Sequence, residues 1–166
     1  MRASIRVVLA GALFALAGCS SQPIYTAPAD LAQVPPETVA QTPERFGDRS
    51  VIWGGRVVSV DNLPDHTEIE ILGYPLDHGQ RPQISQPAGG RFIAVMSGYV
   101  EKLDYPAGAL VTLRGRIAGT RAGKVGEAPY VFPLVKVEAI HLWTAEELRS
   151  NRPNIGIGLG VGIGIH

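Results

Sequence analysis

The chain has one cysteine, Cys19, in 166 residues, so it can form no disulfide within itself. It carries no excess charge: fifteen basic residues balance fifteen acidic ones, which leaves out the electrostatic footprint that nucleic-acid binding needs. The apolar run Val7–Gly18 has about twelve residues, too few for a helix crossing about 30 Å of hydrocarbon. What the chain has in quantity is glycine and proline, 20 and 13 residues, which favour turns and short strands over long helices. With 45% hydrophobic and 18% charged residues a core can form, and the expectation is one all-β domain with a tail at each end.

Arg2 and Arg6 precede the apolar run, the arrangement of a signal peptide over residues 1–18. The run ends in "LAGC", Leu16 to Cys19, which resembles the lipobox of bacterial lipoproteins. By that resemblance, cleavage before Cys19 makes it the new N-terminus, with a diacylglycerol on its thiol and a further acyl chain on its amine. Each buried methylene contributes about 0.8 kcal/mol, and more than one chain makes the anchor durable. The partners implied are outer-membrane lipid, held through acylated Cys19, and the lipoprotein processing and sorting machinery. An ordinary signal peptide with a chance cysteine is the plainer alternative, and the order of basic start, apolar run, small pair and cysteine argues against it. Ser20 and Ser21 follow, neither of them the aspartate that favours inner-membrane retention, so a Gram-negative source implies the periplasmic face of the outer membrane. Losing Arg2 and Arg6 leaves thirteen basic against fifteen acidic residues, a net charge of minus two.

Residues 19–35 read as a lipid-anchored flexible tether, broken by Pro23, Pro28 and Pro35. "PETVAQTPERFGD" can hold a short helical turn limited by Pro43, with Phe46 expected to dock on the domain. From Ser50 the pattern becomes strands: Val51–Val60, Thr67–Tyr74, Arg91–Tyr99, Ala109–Thr120 and Tyr130–Trp143. Glu68 and Glu70 alternate with Ile69 and Ile71, so their carboxylates are expected in water. In the last strand the apolar parity switches between Val137 and Ile140, which predicts a bulge or bend. Glycines inside strands, at Gly54, Gly55 and Gly115, suit the corners of a small coiled barrel. The expected fold is therefore a five-stranded OB-like barrel, with an open β-sandwich as the alternative. Thr144 and Glu147 have capping-box spacing for a short helix ended by Pro153.

The sequence carries few residues arranged for chemistry. His66, His78, His141 and His166 are scattered without zinc-site spacing, so neither a metal nor another cofactor is expected. "GTRAGKVGE" lacks the G-K-[ST] ending of a phosphate cradle and reads as a turn-rich connection. Alternate residues on a strand put Glu68 and Glu70 about 6.5 to 7 Å apart, a glycosidase-like separation, yet nothing suggests that either is kept protonated. Trp53, Arg91, Arg114 and Arg116 are the candidate ligand-binding residues, an aromatic with guanidinium groups suited to an anionic sugar or peptidoglycan fragment.

"VIWGGRV", "GRFIA", "LVTLRGRIAGT", "KVGEAPYVFPLV" and "EAIHLW", in this order, resemble the Slp family of outer-membrane lipoproteins over roughly residues 36–143. The resemblance implies a lipid-anchored protein of the Gram-negative outer membrane, linked to starvation and stress. It implies no catalytic residues, and the chain is read as no enzyme. The expected role is structural support of the envelope, with an envelope-ligand binding module as the alternative. Residues 144–166 hold the short helix and a tail in which glycine alternates with aliphatic residues from Ile155 to Ile165. Five glycines rule out a membrane helix there, and the tail reads as an edge that invites self-association. Deleting residues 154–166 is expected to leave folding intact.

Overall fold

A computed structural model describes residues 22–149. The signal peptide, Cys19, Pro153 and the glycine-alternating tail lie outside the described residues. The strands are β1 (Ser50–Asn62), β2 (His66–Tyr74), β3 (Arg91–Ser97), β4 (Leu110–Val125) and β5 (Ala128–Leu142). They close into a barrel in the order β1-β2-β3-β5-β4, which sets the open sandwich aside. Closure rests on β1, whose 13 residues serve two neighbours. Its first half pairs with β4, from Ser50 opposite Arg116 to Arg56 opposite Leu110. Its second half pairs with β2, from Gly54 opposite Tyr74 to Asn62 opposite Thr67. The two pairings overlap at Gly54–Arg56, where the strand is hemmed in from both sides. A Cβ on Gly55 would collide with the Leu72 carbonyl, and one on Gly115 with the Lys136 carbonyl, so both corners require glycine. β3 and β5 pair in parallel, and the other neighbours are antiparallel.

The core follows the period of two. Ile69 and Ile71 of β2, Val51 and Trp53 of β1, Phe92 of β3, Leu113 of β4 and Val135 of β5 face inward and are buried. Burying each such side chain contributes about 1.5 to 3 kcal/mol. In β1 the inward set steps from Val57 to Val60 because the register shifts between Val57 and Ser59. In β5 the expected bulge falls at Glu138, the extra residue between Val137, opposite Gly115, and Ala139, opposite Arg114.

α1 (Pro36–Gln41) begins with proline at its first turn, where the missing N–H costs nothing. It turns Val39, with no exposed surface, into the core cluster, and Phe46 packs against the same cluster as expected. After β5, α2 (Ala145–Arg149) opens with the expected capping box. The Glu147 N–H donates to Thr144 Oγ1 at 3.2 Å, and the Thr144 N–H donates to Glu147 Oε2 at 2.8 Å.

Two stretches differ from expectation. "GTRAGKVGE" is not a loop: β4 and β5 run on as a two-stranded ribbon to Val125 and Ala128, closed by Gly126 and Glu127, with Gly126 at φ 58°. Its glycines imitate a loop in sequence, but the Phe132 ring lies over Gly123 and stands in for the absent side chain. The second stretch is the lead-in, residues 25–34, which lies along the barrel. Tyr25 exchanges two hydrogen bonds with the Gln80 side chain at 2.8 and 2.9 Å. Ala32 N–H donates to Ser50 O at 2.8 Å, and Arg49 Nε donates to Asp30 O at 2.8 Å. A proline-broken chain has no ladder of its own, so its backbone groups take partners from β1 and from single side chains.

Candidate functional site

The four residues expected to bind a ligand do not converge. Trp53 points into the barrel at 6% exposure, edge-on to Phe92 with ring centroids 5.1 Å apart. Its indole N–H donates to the Val34 carbonyl at 2.8 Å. One edge of it borders an apolar cleft of about 540 Å³ between the lead-in, β1 and the end of β2, with Leu31, Val34, Ile52 and Leu76 among its walls. Arg91 stands apart at the start of β3, 2.5 Å from Glu70 on β2. Arg114 and Arg116 do come together, around Glu138. Arg114 Nε donates to Glu138 Oε2 at 3.2 Å and the guanidinium lies 5.8 Å over the Tyr25 ring. Burial pushes the Tyr25 phenol up to about 12, against the opposing pull of Arg114. Arg116 lies 3.1 Å from Asp30 Oδ2 and 3.7 Å from Glu138 Oε1. Each guanidinium is thus already matched by a carboxylate, which cancels most of its attraction for an anion.

A different set of groups comes together on the outer face of β2, β3 and β5. Glu68 and Glu70 stand there, expected in water but drawn half out of it, their side chains 14% and 25% exposed. The reason is tertiary: Arg121 of the β4–β5 ribbon grips Glu68 with two parallel bonds, Nη1 to Oε1 at 2.9 Å and Nη2 to Oε2 at 2.7 Å. His66 Nε2 lies 3.3 Å from Glu68 Oε1, and His66 Nδ1 lies 2.7 Å from Asp65 Oδ1. The hydrogen bond from Arg121 is the main cause that lowers the Glu68 carboxyl below its usual range. Those to Asp65 and Glu68 raise the His66 imidazole. Glu68 is therefore held ionised and accepts hydrogen bonds only, so it is no general acid.

Beside this cluster runs a groove of about 300 Å³ with Val95, Met96 and Leu134 along its floor, Asp65, His66 and Glu68 on one rim and Lys136 on the other. Lys136 is exposed and is not ion-paired among the described residues. A mixed-sign rim over an apolar floor suits a small zwitterionic or anionic ligand. Lys136 was not singled out from the sequence, where its only signal is its alternation with Val135 and Val137 on β5. Arg121 was missed because it sits in the stretch that reads as a loop.

The family model described as "Outer membrane lipoprotein Slp family" matches residues 16–158. The match takes in Cys19 and extends past residue 143 into the glycine-rich end, which the sequence resemblance had left out. The chain is 36% identical over 105 residues to the uncharacterized lipoprotein YeaY of Escherichia coli strain K12, covering 63% of this chain and 54% of that protein. It is 32% identical over 97 residues to an uncharacterized protein of Haemophilus influenzae, covering 58% and 52%. It is 30% identical over 144 residues to the outer membrane protein Slp of E. coli K12, covering 86% and 76%. The chain thus spans about half the length of the first two relatives.

Proposed function

This chain belongs to the Slp family of outer membrane lipoproteins, and from that premise we propose that it is a lipid-anchored, non-catalytic envelope protein. Its barrel is held at the periplasmic face of the outer membrane and supports the envelope under stress. The observation that carries this reading is the reach of the family match, which begins at residue 16 and so takes in the "LAGC" of residues 16–19. We read the barrel as OB-like, on its strand order and its single parallel pairing, β3 with β5. The matched charges of the three arginines favour a role without chemistry of its own. Replacing Cys19 by alanine tests the anchor: labelled palmitate is expected to leave the protein and the chain to leave the outer-membrane fraction. Unchanged recovery in that fraction would sink the reading.

A second reading, envelope-ligand binding, is favoured by the groove beside Lys136. A peptidoglycan fragment is the ligand class that matches an apolar floor with charges of both signs. It is tested by calorimetric titration of the lipoprotein with such fragments. Binding that weakens at least tenfold in Lys136→Ala supports it, and the absence of heat at millimolar ligand removes it.

A further inference from the structure

The two most exposed large apolar side chains among the described residues, Leu103 at 84% and Tyr99 at 72%, lie in the segment joining β3 to β4. Leu63, 41% exposed, lies in the turn joining β1 to β2. The two connections are neighbours at one end of the barrel: Asn62 Nδ2 donates to Val100 O at 3.0 Å, and Gly98 N–H donates to Asp65 O at 3.3 Å. They are also pinned from within. The hydroxyl of Thr67, fully buried, accepts from Val100 N–H at 3.1 Å and donates toward Gly98 O at 2.8 Å. A loop fixed so firmly holds a leucine and a tyrosine in water without gain to the fold, which marks an interaction surface.

The chain that precedes the described residues indicates what covers them. Cys19 lies six residues before Tyr25, a reach of about 20 Å at full extension. Tyr25 is clamped to the barrel by Gln80, and its hydroxyl donates to Thr112 O at 3.4 Å, two residues into β4 from Leu110, where the segment that carries Tyr99 and Leu103 ends. A lipid on Cys19 therefore keeps the bilayer within about 20 Å of Tyr25, which is docked beside the start of β4, where that segment ends.

We propose that the barrel end formed by Leu63, Tyr99 and Leu103 rests in the headgroup region of the bilayer to which the chain is anchored, a proposal that rests on the lipid-anchor reading of Cys19. Leu103 enters the acyl boundary and the Tyr99 ring lies at headgroup level, the habit of tyrosine at membrane interfaces. The rim holds Asp61, Asp65, Glu101 and Asp104 against Lys102, so the surface fits zwitterionic headgroups better than strongly anionic ones.

The test uses the full acylated lipoprotein in phosphatidylcholine vesicles whose acyl chains are brominated near the headgroup. A bimane label is placed on Leu103→Cys, on Tyr99→Cys or, at the opposite end of β2 and β3, on Gln41→Cys of α1. The Cys19 thiol is occupied by its thioether, so the introduced cysteine takes the label. Quenching of at least twofold at positions 103 and 99, with none at 41, is expected. An acylated chain that floats with the vesicles yet is unquenched at 103, or is quenched equally at 41, overturns this proposal alone. A chain without acyl groups that does not float overturns the anchor reading and this proposal together.

Discussion

Arg121 and Glu68, 53 residues apart, meet as a fork on a fork, and this pair ties the root of the β4–β5 ribbon to β2. The carboxylate is the buried partner, at 14% exposure against 47% for the guanidinium side chain, so the bond belongs to β2 more than to solvent. Replacing Arg121 by alanine strands a half-buried anion. The expected loss is about 1 kcal/mol, read from the urea midpoint at constant slope. Lys124→Ala is the control, since its pair with Glu127 spans 3.9 Å in open water, and no measurable change is expected.

The same cluster gives stability a dependence on pH. The folded-state pKa of His66 is raised above 6.5, so its contribution is fully present below that value and is lost as pH rises through the folded value. The pKa of Glu68 is lowered below 4.5, so its contribution is present above that value and is lost as pH falls through the folded value. Between these limits both act, with Asp65 and Arg121 as their partners. The melting temperature of the wild type is expected to exceed that of His66→Gln most near pH 5.5, the gap closing as pH rises through the raised folded-state value of His66. A gap that stays constant from pH 4 to pH 9 would refute this.

Gly55→Ala is expected to cost about 3 kcal/mol or more, because the new methyl meets the Leu72 carbonyl, a backbone atom that cannot swing aside. Gly47→Ala has open space around its new methyl and is expected to stay within about 0.5 kcal/mol of the parent. Paired denaturant titrations separate the two, and equal midpoints would show that the double pairing at β1 is wrongly described.

Gln80 holds the lead-in by its side chain while sitting at φ 66°, a left-handed conformation that glycine adopts freely. Gln80→Gly removes both bonds to Tyr25 and relieves about 1 kcal/mol of strain. Protease is expected to cut residues 22–30 several times faster while the unfolding midpoint of the barrel holds or rises. A fall in that midpoint would mean that the lead-in is integral to the barrel.

The five strands were legible because their signals are local: β-branched runs, alternation, and turn residues between them. The bulge at Glu138 announced itself as a change of parity, and the capping box as a spacing of three. The lead-in was not legible, since its docking depends on Gln80, 55 residues from Tyr25, and no periodicity records such a partner. The arginines misled for the same reason. A sequence shows that Arg114 and Arg116 face outward from β4, but not that Glu138 and Asp30 already occupy them. Glycine misled where it was spaced as in a loop yet lay beneath Phe132 in a paired ribbon.

The docked lead-in is also spare length. A pull from the N-terminus meets the Tyr25–Gln80 clasp first, then the Asp30 contacts, then the Ala32–Ser50 bond and the Val34 carbonyl held by the Trp53 indole, all before it reaches α1. None of these bonds belongs to the ladders that close the barrel, so the segment from Tyr25 to Val34 can peel away with every strand still paired, its last step drawing Ala32 out of the core cluster and Val34 away from Trp53. Ten residues released in this way extend about 35 Å. With the proposed lipid on Cys19, the protein would be a domain on a retractable line, close to its attachment when slack and lifted well clear of it under load.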